Sequence, residues 1–143
     1  MASGTTVVLP STDPSHASLR GALLNSAFPV LALTPVAGPP EALSARLCQA
    51  INAARPAPPL VVVAFGSAAA FLPAVGLSQR AAHRQVAEYV LVDAAVPAVT
   101  DSWPDARVSV YATDLAADAT AHARLRGWDV HPVAELPDWR PGR

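Results

Sequence analysis

The sequence predicts an α/β protein built on an open, mostly parallel sheet of about six strands with helices on both faces. Two observations carry that prediction. Strand-like runs alternate with helix-like runs from end to end, and most of the strand-like runs are continuously apolar, as strands covered on both faces are. A third is length: 143 residues suit one domain, 1–143, with a single core and no room for a separate lid.

The first strand spans Thr5 to Leu9, followed by the polar turn "PSTDPSH" and a helix over about 17–26 carrying Leu19, Leu23 and Leu24. The second strand is Pro29 to Leu33, after which "TPVAGPP" makes a loop. Pro40 suits the first position of the next helix, in which Leu43, Leu47 and Ile51 recur at helical spacing and define a buried face. Strand three, Leu60 to Ala64, runs into the small-residue turn "FGSAAA". Helical pattern then extends from about Ser67 to Glu88, interrupted near Pro73 to Gly76. Strand four is Tyr89 to Val92 and strand five Arg107 to Tyr111, joined by a proline-marked loop. A helix over about 115–125, with Asp114 as a good N-cap and Gly127 as its stop, leads to strand six in "WDVHPV" and an irregular covering tail.

Composition removes several function classes. A net charge of −1 with 15% charged residues lacks the basic excess that phosphate-backbone binding requires, so no nucleic-acid partner is expected. No run reaches the roughly 20 apolar residues of a membrane span, and no basic, apolar leader opens the chain. The single cysteine, Cys48, falls in helical apolar pattern, which fits a reducing cytoplasm and excludes an intrachain disulfide. The four histidines lack metal-ligand spacing, and no glycine-rich phosphate loop follows a strand, so no metal and no cofactor are implied.

In open parallel sheets functional groups collect at the carboxyl ends of the strands. That rule nominates Ser11 and Thr12 after strand one, Phe65, Gly66 and Ser67 after three, Asp93 after four and Asp114 after five. His131 lies within strand six, while His16, His83 and His122 read as loop or helix-surface positions.

With these elements placed, the chain resembles an α/β-hydrolase, and more narrowly small actinobacterial α/β-hydrolase-like proteins. The resemblance rests on "TVVLPS", "FPVLAL", "VVVAFGSAAAFLPAV", "YVLVDAAVP" and "GWDVHPV", in that order, and covers nearly the whole chain. It implies a truncated fold without a cap, lacking the two strands that come before "TVVLPS" in that family. Dimerisation would cover the resulting sheet edge and shield the site.

The resemblance also implies a nucleophile elbow, for which two registers exist. Anchored on Leu72 and Pro73, the alignment places Gly66 at the apex, where a strained backbone suits glycine. The other register makes Ser67 the nucleophile, with Asp93 or Asp114 as acid and His131 as base, and it puts the bulky Phe65 where the motif has glycine. The loop after the last strand, where the family keeps its histidine, contains none. The favoured expectation is a degenerate member that binds or converts a small, apolar, natural-product-like molecule without a covalent serine intermediate, the pocket lined by Ser11, Thr12, Phe65, Gly66 and Ser67. A small serine esterase or thioesterase using Ser67 and a non-enzymatic protein-interaction module are the alternatives.

Overall fold

The computed structural model describes residues 4–11, 13–24, 29–34, 38–97 and 99–138. Among these residues, six strands form one all-parallel sheet: β1 (Thr5–Val8), β2 (Val30–Ala32), β3 (Leu60–Phe65), β4 (Val86–Val92), β5 (Arg107–Ala112) and β6 (Asp129–Pro132), in the spatial order β2-β1-β3-β4-β5-β6. The helices are α1 (Ala17–Leu24), α2 (Pro40–Ala54), α3 (Leu72–Ala81) and α4 (Asp118–Leu125).

The core explains why β3 reads as unbroken apolar sequence. All six of its residues are buried. Because side chains alternate across a sheet, Leu60, Val62 and Ala64 join the cluster that contains Leu47 and Ile51 of α2 and Leu72 and Val75 of α3. Val61, Val63 and Phe65 join Leu23 of α1 and Leu136 of the C-terminal 3-10 segment (Val133–Asp138) on the opposite face. At roughly 1.5–3 kcal/mol for each large apolar side chain taken out of water, this strand is the mechanical centre of the molecule.

Helix boundaries follow local chemistry. Pro40 occupies the first turn of α2, where its missing N–H costs nothing. In 14–16 the chain makes a short 3-10 turn capped by Asp13, whose carboxylate accepts the Ser15 N–H at 2.9 Å.

Three expectations need correction. Residues 86–88 belong to β4 and not to a helix: α3 ends at Ala81, His83 takes a left-handed φ of 60°, and buried Val86 pairs with Leu60. No interruption occurs at 73–76, because Pro73 lies in the first turn of α3, where proline is tolerated. Asp114 does not cap α4, which starts at Asp118 after Ala117; its carboxylate instead accepts the Ala116 N–H at 2.9 Å in the turn before the helix. The expected Leu19 and Leu24 packing, the end of the first helix beyond Leu24 and the last five residues of the tail lie outside what is described.

Candidate functional site

The turn after β3 is the sharpest feature at the carboxyl edge of the sheet. Phe65 ends the strand in extended conformation, Gly66 adopts φ 57°, and a 3-10 turn (Gly66–Phe71) leads straight into α3. Left-handed backbone of this kind costs a side-chain-bearing residue about 1–2 kcal/mol and costs glycine little. Ser67, one residue later, is exposed and is not among the residues with positive φ.

Facing this turn is His16, which was expected at the surface. It is only 6% exposed. Its ring packs at 5.3 Å from that of Phe65, and a Cβ built on Gly66 would stand 3.3 Å from His16 Cε1. The Ser11 hydroxyl lies 3.2 Å from His16 Nδ1, and it also accepts the Asp13 N–H at 3.3 Å. The cause is local. Asp13 and Pro14 start a single 3-10 turn directly after β1, and that turn swings residue 16 back over the end of β3. The Asp–Pro pair three residues before a histidine was the available signal, and it reads as an ordinary turn when only strand ends are scanned.

These groups line a cavity of about 510 Å³. Leu43 and Leu47 of α2, with Phe65, Ala68 and Phe71, form apolar walls, and Ser11, Asp13, His16 and Ser67 supply the polar groups. The Asp13 carboxyl is held below its usual range, chiefly by the Ser15 N–H it accepts and also by the nearby His16.

The structure thus brings together Ser11, Phe65, Gly66 and Ser67 from the expected set, and adds His16. Thr12 lies outside the described residues. Asp93, Asp114 and His131 are placed elsewhere, each with partners of its own. Asp93, at φ 48°, accepts the Thr113 N–H at 2.6 Å and the Thr113 hydroxyl at 2.7 Å, tying the end of β4 to the end of β5. His131 stacks on Tyr111 at 5.1 Å, and its Nδ1 lies 3.4 Å from Glu135. Burial, followed by the charge of Glu88, pushes the Tyr111 phenol up, so it stays protonated beneath that ring. Asp114 serves the turn before α4.

Among the described residues no group of histidine, cysteine and carboxylate side chains is arranged to hold a metal ion, and no helix is long and apolar enough to cross a membrane.

The parallel sheet in the order 2-1-3-4-5-6, with a left-handed turn between its central strand and the helical segment that follows, resembles that of a thioesterase domain of α/β-hydrolase fold. Among solved structures the chain is similar to the thioesterase domain of NocB, from the nocardicin cluster. The match to that domain in covalent complex with a fluorophosphonate nocardicin G analogue has a TM-score of 0.60 at 16% identity and covers 96% of this chain and 88% of the other. A second structure of the same domain matches with a TM-score of 0.55, at the same identity and coverage. No family model and no curated protein matches the sequence.

Proposed function

We propose that this α/β-hydrolase-fold protein binds a small apolar molecule, or converts it without a covalent serine intermediate, in the cavity at the carboxyl ends of β1 and β3. The observation that carries this reading is Gly66. It takes the left-handed conformation, φ 57°, at the turn where the fold holds a nucleophile, and it has no side chain to offer. Ser67 is not seen activated in its place: a nucleophilic serine needs a histidine within hydrogen-bond reach, and among the described residues the imidazole nearest this turn, His16, has its Nδ1 hydrogen-bonded to Ser11 and makes no hydrogen bond to Ser67. The groups that could complete a triad, Asp93, Asp114 and His131, are engaged with Thr113, Ala116 and Glu135.

The cavity supports binding on its own terms. Apolar walls with a few convergent polar groups are the usual composition of small-molecule sites. The opening N–H groups of the helix that follows Gly66 have no partners within it and can hold a carbonyl or enolate oxygen. The NocB thioesterase domain, similar in fold, is known in covalent complex with a fluorophosphonate. On the present reading this chain forms no such bond.

The reading is tested with N-phenyl-1-naphthylamine, a neutral apolar fluorophore. The purified protein enhances its emission, and Ser67→Trp, which introduces a bulky ring at an exposed position on the cavity wall, weakens binding about tenfold or more. No enhancement, or enhancement that Ser67→Trp leaves unchanged, contradicts the assignment.

A further inference from the structure

The cavity beside Gly66 has a neighbour. A second one, of about 250 Å³, adjoins it, and the two share Ser11, Asp13 and His16. Their characters differ. The larger is walled by Leu43, Leu47, Phe65 and Phe71, whereas the smaller reaches Arg20 and Gly21 of α1.

Arg20 is the unusual group. One of its terminal nitrogens, Nη2, donates to the Leu33 carbonyl at 3.0 Å, but its Nε is buried without a hydrogen-bond partner among the described residues. Arg20 also has no carboxylate partner among them. That Nε is closed off from solvent, so the part of the half-buried guanidinium that can meet a ligand is the part that lines the smaller cavity.

His16 adds a second donor. In the tautomer whose Nδ1 accepts the Ser11 hydroxyl proton, a neutral ring carries its hydrogen on Nε2. Protonation of the ring adds a second N–H and a charge, so the imidazole is a donor in both states. The charged groups around it are Arg20 and Asp13. The Asp13 carboxylate is exposed and occupied with the Ser15 N–H, so water screens its repulsion of an anion.

We propose that the junction of the two cavities is an anion subsite and that the ligand is an apolar monocarboxylic acid: its carboxylate lies toward Arg20 and His16, and its apolar body fills the larger cavity. The inference rests on the pocket reading above and specifies its ligand class. A charge-assisted hydrogen bond in a partly desolvated site gains more than a neutral one, so the acid is favoured over its own amide.

Competition against bound N-phenyl-1-naphthylamine tests this with two probes of one shape, 1-naphthylacetate and 1-naphthylacetamide. The acid displaces the fluorophore at about tenfold lower concentration than the amide, and Arg20→Gln and His16→Gln, each checked for native circular dichroism, shrink that preference to about threefold or less. The wild-type comparison needs no variant and stands if either one fails to fold. If the fluorophore binds but the acid competes no better than the amide, the anion subsite is overturned and the apolar pocket stands. If the fluorophore does not bind either, both readings fall together.

Discussion

The carboxyl edge of the sheet has two halves that differ in what their polar groups do. At the ends of β1 and β3, a buried histidine, a glycine with left-handed backbone and two serines border open space. At the ends of β4, β5 and β6, Asp93, Asp114 and His131 each close a contact within their own loops or with the adjacent strand. Both halves carry the residue types of hydrolytic chemistry. The difference teaches that residue type at a strand end does not identify a site; what matters is whether the polar group is left facing a cavity.

That contrast can be broken from either side. The largest effect is expected for Phe65→Ala, because Phe65 is 1% exposed and supports the His16 ring while filling the core. A loss of about 3–5 kcal/mol in urea denaturation is expected. A loss under about 1 kcal/mol would mean that the β3 end is not anchored in the core as described. Gly66→Ala comes next, at about 1–2 kcal/mol, because the left-handed backbone disfavours a Cβ and that Cβ would press on His16 Cε1 at 3.3 Å. It also weakens fluorophore binding by displacing the imidazole.

On the other half the effects are small. His131→Gln removes the Glu135 contact, between side chains that are 37% and 57% exposed, and the stack on Tyr111, and it costs about 1 kcal/mol or less, with fluorophore binding unaltered. The smallest effect returns to the β1 end and is a titration. The Asp13 carboxyl is lowered by the Ser15 N–H, so its contribution is present above the unfolded-chain value near 3.8 and disappears as pH falls through the lower folded value. The Ser15 amide resonance therefore titrates with a midpoint below 3.8, and a midpoint at or above that value would show that the Asp13 cap is absent in solution.

The sheet was legible because its strands are nearly pure runs of Val, Leu and Ala, and buried parallel strands require that pattern. The start of β4 was not, because Glu88 interrupts it. In the structure that carboxylate is 4% exposed and accepts the Ser109 hydroxyl of β5 at 2.6 Å, a cross-strand bond with no trace in local sequence. Gly66 was legible through the resemblance: the alignment anchored on Leu72 and Pro73 put it at the turn, where a strained backbone suits glycine. His16 was not legible: its burial depends on a single 3-10 turn folding back over a strand about fifty residues further along the chain, and the polar run around it looks solvated. Asp93 and His131 were nominated by their positions at or near strand ends, but the Asp93 hydrogen bonds to Thr113 and the His131–Glu135 contact, which hold them apart from the cavity, emerge only when the strand ends are assembled.

The central claim is that the elbow holds glycine where a nucleophile would stand. Fluorophosphonate labelling of the purified protein, read by intact mass with Ser67→Ala as control, tests it most directly. The account predicts no adduct on either protein. A stoichiometric adduct on the wild type that disappears in Ser67→Ala would contradict it and make Ser67 an active nucleophile.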